Sequence, residues 1–94
     1  MTTNVLISTL ASNARQAITT RYAGPTNTRG SRIIATTASG LRRTVRYDYA
    51  LNSSENHCAA ALALAESLGW LNRATPAFGA TKDGYVLVLT CDAL

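Results

Sequence analysis

Between Gln16 and Tyr49 the chain alternates apolar and polar residues in three short runs, each closed by turn-forming residues. In Gln16–Ala23, Ile18, Thr20 and Tyr22 share one parity while Ala17, Thr19 and Arg21 share the other, the period of a strand with one buried face. Gly24-Pro25 opens a turn, and Asn27 and Gly30 tolerate the unusual backbone angles such a loop needs. Ser31–Thr37 reads as a second strand, β-branched and extended, closed by Ala38-Ser39-Gly40. Leu41–Tyr49 reads as a third, with Leu41, Val45, Tyr47 and Tyr49 on one parity and Arg42, Thr44, Arg46 and Asp48 on the other. Short loops between successive strands predict an antiparallel meander.

The period then changes. Asn52-Ser53-Ser54-Glu55 is a capping box, a short polar cap followed three residues later by a glutamate. It starts a helix that runs to about Leu68, with Cys58, Ala61, Leu62, Ala65 and Leu68 as its buried stripe. Gly69 supplies a left-handed C-cap, and Trp70 folds back over the last turn. Leu71–Thr75 reads as irregular and is stopped by Pro76; Ala77–Thr81 and Tyr85–Thr90 then flank Lys82-Asp83-Gly84, a hairpin signal. Tyr85–Thr90 is apolar on both faces and reads as a central or well-covered strand. Residues 1–14 read as a short strand or a mobile arm, although Val5, Leu6, Ile7 and Leu10 also suit one or two turns of helix. The expected order is β-β-β-α-β-β: an α+β fold with one amphipathic helix packed on one face of an antiparallel sheet.

Ninety-four residues, 47% of them apolar, make a single small domain spanning 1–94. One Trp, one Phe and many alanines imply a modest core that self-association would help to stabilise. No apolar stretch approaches the roughly 18–20 residues that cross a bilayer, and Met1–Ile7 lacks the basic segment of a secretion signal, so the expected location is the cytoplasm. Cys58 and Cys91 fit neither a disulfide framework nor a zinc pattern and read as buried reduced thiols.

Charge is divided sharply along the chain. Every charged residue before Asp48 is an arginine: Arg15, Arg21, Arg29, Arg32, Arg42, Arg43 and Arg46. From Asp48 onward, Arg73 and Lys82 stand against five acids, so the halves carry +7 and −3 and the chain +4. If the helix covers the face bearing Ile18, Tyr22, Ile33, Val45 and Tyr47, then Arg21, Arg32, Arg42 and Arg46 share the opposite face, with Thr19, Thr36 and Thr44 between them. Four guanidiniums on one face repel one another unless solvated or bound to an anion. Arg43 has the other parity and belongs at an edge or an irregularity.

The Thr26–Arg32 loop adds hydroxyl, amide and guanidinium donors around a glycine, a composition suited to an oxyanion nest. It is no P-loop, because Gly30 is followed by Ser31-Arg32 without a lysine. A structural role competes evenly, with Pro25 and Gly30 fixing the path and Asn27 and Thr28 capping the loop's own backbone. Aromatics that stack bases in RNA-recognition sheets share a face with the basic residues. Tyr22, Tyr47 and Tyr49 take the parity opposite to Arg21, Arg42 and Arg46, which favours contact with a nucleic-acid backbone over base stacking.

Catalysis finds little support. His57 reads as an ordinary histidine on the helix surface, and adjacent helical residues point about 100° apart, so His57 and Cys58 make no nucleophile–base pair. There is no paired-carboxylate, nucleophile-elbow or metal-ligand pattern, so neither enzyme activity nor a cofactor or metal is expected.

The run Tyr22-Ala23-Gly24-Pro25-Thr26-Asn27-Thr28-Arg29-Gly30-Ser31-Arg32-Ile33 resembles a motif of short uncharacterised bacterial and bacteriophage proteins. The resemblance extends through Tyr47–Leu51, Asn56-His57 and Leu68-Gly69-Trp70, about residues 17–70. It implies an origin in bacteria or their mobile elements and no mechanism.

The expected function is thus a small, basic, non-enzymatic binding protein that engages the phosphates of DNA or RNA, or less readily a nucleotide. The candidate residues are Arg21, Asn27, Thr28, Arg29, Gly30, Ser31, Arg32, Arg42, Arg43 and Arg46. The competing expectation is a protein-interaction module, such as a phage accessory factor that inhibits a host enzyme or defence system, using the same arginines against an acidic protein surface.

Overall fold

A computed structural model of the chain describes residues 3–12, 17–71 and 74–91. It contains helix α1 (Thr3–Ser12), strands β1 (Ile18–Ala23), β2 (Arg32–Thr37) and β3 (Arg42–Arg46), helix α2 (Ser53–Ser67), and strands β4 (Ala74–Ala80) and β5 (Gly84–Cys91). The strands form one antiparallel sheet in the order β3-β2-β1-β5-β4, with α2 packed on one face across β3, β2, β1 and β5. The chain is an α+β fold.

Strands β1 to β3 form the expected meander, with Ile18 opposite Thr37, Tyr22 opposite Ile33, and Ile33 in turn opposite Val45. This register puts Ile18, Thr20, Ile33, Ala35 and Val45 on the side of α2, where Leu87 and Leu89 of β5 join them. Ile18, Ile33 and Leu87 are the largest fully buried side chains. Burial of each such side chain is worth about 1.5–3 kcal/mol.

Helix α2 begins as its sequence dictates. Asn52 accepts from the Glu55 amide, and Glu55 returns a bond to the Asn52 amide at 2.9 Å. It ends in a Schellman motif: Gly69 adopts φ +73°, its amide donates to Glu66 O, and the Trp70 amide donates to Ala65 O. The buried stripe is rotated from expectation. Ala60, Ala61, Leu64 and Ala65 are buried, whereas Cys58, Leu62 and Leu68 are only half-buried. Ala60, Ala61 and Ala65 share one buried cluster with Ala35 of β2, the strand on which α2 packs, so small residues meet on both sides of the contact. Cys58 is a free thiol; the Cys91 side chain and all of Arg15 lie outside the described residues.

Four further expectations are corrected. Residues 3–12 form a helix, on which Val5, Leu6 and Ile7 are exposed. Strand β4 starts at Ala74 and runs through Pro76; it is an edge strand, where a missing N–H is tolerated. The β4–β5 connection is Thr81-Lys82-Asp83, because Gly84 already belongs to β5 and has no positive φ. Gly84 is required instead by packing, since a Cβ there would overlap the Thr20 carbonyl of β1. Finally, His57 is not on the surface. Only 4% exposed, it bonds through Nδ1 to Thr20 Oγ1 at 2.7 Å and packs against the Tyr85 ring, which stacks on Phe78. Burial in this apolar setting pushes its pKa below the ordinary value, because the charged ring would lose its hydration.

Candidate anion-binding face

The sheet face away from α2 carries the charge. Cross-strand register sets Arg32 directly opposite Arg46, Arg21 opposite Ile34, and Thr36 opposite Arg42. Arg21, Arg32, Arg42 and Arg46 therefore share one face with Thr19, Thr36 and Thr44, as their parity requires. Ile34 lies among them and is buried although, among the described residues, no helix packs on that side, an arrangement to which long arginine stems are suited. Arg43 pairs with Ala35 and takes the helix-side parity on edge strand β3, so it is not part of this face.

The loop joining β1 to β2 folds against the same face. Thr28, Arg29, Gly30, Ser31 and Arg32 line a concavity of about 340 Å³ whose far wall is Thr44 and Arg46 of β3. Such a volume is at the lower end for small-ligand sites. Six of the ten expected residues thus meet in one place. Arg21 shares the face without lining the concavity, and Asn27 does not line it either. Arg42 sits four residues from Arg46 along β3, roughly 13 Å at strand rise. Thr44 was missed as a site residue; its place between Arg42 and Arg46 on the same parity was the available signal.

Within the loop, Thr26 holds the turn. Its amide donates to Arg29 O at 2.7 Å, and its Oγ1 accepts from the amides of Thr28 and Arg29 at 3.3 and 3.0 Å. The backbone capping assigned to Asn27 and Thr28 therefore belongs to Thr26. Two loop amides, those of Thr28 and Arg29, are therefore already bonded, and the side chains of Arg29, Arg32 and Arg46 add donors to the concavity.

Those donors are cationic and uncompensated. Arg32 Nη1 reaches the carbonyls of Gly24 and Gly30 at 3.4 Å, both long contacts, and Arg32 Nε is buried without a hydrogen-bond partner among the described residues. An orphaned buried donor costs about 1–3 kcal/mol, and more when charged. No carboxylate lies within ion-pair distance of Arg21, Arg29, Arg32, Arg42 or Arg46 among the described residues. Two of the acids are engaged in local backbone capping: Asp48 accepts from the Ala50 amide and Glu55 completes the helix cap. Repulsion between opposed surface guanidiniums, on the order of 1 kcal/mol, is therefore left for solvent or a bound anion to relieve.

Ser31 behaves differently from expectation. It is only 8% exposed, and its Oγ accepts from the hydroxyls of Tyr22 and Tyr49 at 2.9 and 3.1 Å, so this hydroxyl is already engaged. No group of three metal-ligating side chains occurs among the described residues, and no described helix is long and apolar enough to cross a membrane. No protein-family profile, curated protein or solved structure matches this chain.

Proposed function

We propose that the chain is a small non-enzymatic binding protein whose arginine face engages the phosphate groups of a nucleic acid. The observation that carries this reading is the convergence of Arg29, Arg32 and Arg46, from a loop and two strands, on one concavity without a carboxylate partner among the described residues. Guanidinium forks match phosphate oxygens two at a time, and Arg32, with its orphaned donor, stands to gain most from such a ligand.

A polymer fits better than a free anion because the charge continues beyond the concavity. Arg21 on β1 and Arg42 at the far end of β3 extend it along the open sheet, giving a phosphate chain more than one point of contact. Binding of this kind is steep in salt, because each neutralised phosphate releases condensed counterions.

Titration of labelled DNA and RNA oligonucleotides into the protein at two salt concentrations tests the reading. Binding is expected at low salt, with marked weakening at high salt, and replacing Arg29 and Arg32 by Ala is expected to reduce it. Absence of binding to either nucleic acid at low salt would remove the proposal.

A further inference from the structure

We infer that the ligand is single-stranded, with its phosphates in the arginine concavity and at least one base stacked on the exposed rings of Tyr49 and Tyr22. The inference rests on the phosphate-binding reading above and adds a second set of contacts to it.

Within the sheet, arginines and tyrosines occupy opposite faces, which argues against their acting together. At the start of β2 two neighbouring residues link the faces. Ser31 and Arg32 are consecutive and point to opposite sides: Arg32 to the basic face, Ser31 to the tyrosines. Ser31 also lines the concavity, so each tyrosine hydroxyl is one hydrogen bond from a residue of the phosphate site.

The rings are exposed yet held. Tyr49 is 79% and Tyr22 50% exposed, far more than is usual for aromatics that belong to a core. Their orientation is nonetheless fixed at several points. Both hydroxyls bond to the same buried Ser31 Oγ. Tyr47 meets Tyr22 edge to face at 5.7 Å and Tyr49 in a tilted arrangement at 5.1 Å.

The segment that carries Tyr49 is pinned as well. The buried Asn56 side chain accepts from the Asp48 amide and donates to the carbonyls of Asp48 and Asn52, at 2.7–3.0 Å. An aromatic ring whose polar end is bonded inward presents its apolar surface to water in a set direction. A nucleobase covers such a surface well, and every base has a face to offer. Bases in a duplex are stacked on one another and unavailable; those of a single strand can be splayed onto protein rings.

The test compares three labelled probes of equal length at one low salt concentration: oligothymidylate, an abasic single strand, and a duplex. The wild-type protein should bind oligothymidylate about tenfold more tightly than the abasic strand, the lower part of the range for one stacked base. Tyr49→Ala and Tyr49→Leu should both bring oligothymidylate down toward the abasic level, with a larger loss of affinity for oligothymidylate than for the abasic strand. The leucine variant keeps apolar bulk without a π-face, so it separates stacking from loss of packing. Equal wild-type affinity for the three probes, or Tyr49 variants that keep the preference for bases, would overturn base stacking and leave phosphate binding standing. Failure to bind even the abasic strand would overturn both.

Discussion

His57 shows how one neighbour decides a residue's role. Near the start of a helix, a polar ring would ordinarily face water. Here Thr20, a polar residue on the inner face of β1, offers a hydroxyl that allows the imidazole to be buried with its Nδ1 bonded. The arrangement stabilises the neutral ring only. With the folded-state pKa held below the unfolded value near 6.5, the contribution is fully present above that value. It is lost as pH falls through the interval between the two, because the unfolded chain then binds the extra proton. The urea midpoint should therefore drop between pH 7.5 and pH 5 by more in the wild type than in His57→Gln. Equal drops would mean that the ring does not titrate as described.

Thr20 and Gly84 were the least legible positions. Alternation placed Thr20 on the inner face correctly, yet nothing in the local pattern revealed the histidine, 37 residues away, that would bond to it. Gly84 was read as a turn residue from its Asp-Gly context, whereas its requirement is the close approach of β1.

At the scale of elements, local chemistry was readable and orientation was not. The capping box of α2 and its Gly69 terminus are interactions among residues three to five apart, so the sequence specifies them directly. Which side of an alanine-rich helix meets the sheet depends on the surface it meets. Leu62 and Leu64 are equally apolar, but the small Ala35 beneath the helix favours the face with Ala60, Ala61 and Ala65. Leu64→Ala should accordingly cost about 2–4 kcal/mol of unfolding free energy, and Leu62→Ala about half as much or less. Chemical denaturation of the two variants checks this, and a reversal of their order would contradict the packing described. The same distinction explains β4 and α1. Pro76 suggested a stop because an edge position cannot be read locally, and ten residues without a charge fit strand and helix patterns alike.

Across the whole molecule, the distribution of charge was the most legible feature of the candidate site. Parity alone assigned Arg21, Arg32, Arg42 and Arg46 to one face, and the register agrees with it at every position. The concavity was harder to foresee. It requires the Thr26-held loop to bend over β3, bringing Arg29 and Arg32 to Thr44 and Arg46, and the sequence contains no signal for that bend beyond Gly24-Pro25. Nor did parity show that Ser31 would join the tyrosines to this site, because alternation describes strand interiors and not the strand ends where two faces meet.

The phosphate-binding account is tested most directly by the slope of log affinity against log salt for an abasic single strand, measured for the wild type, Arg29→Ala/Arg32→Ala and Arg43→Ala. Each lost phosphate contact lowers the slope by about 0.7. The double variant should therefore be flatter than the wild type by roughly 1.4, while Arg43→Ala, on the other side of β3, stays close to the wild-type slope. A double variant as steep as the wild type, or a wild type whose binding ignores salt, would contradict the account.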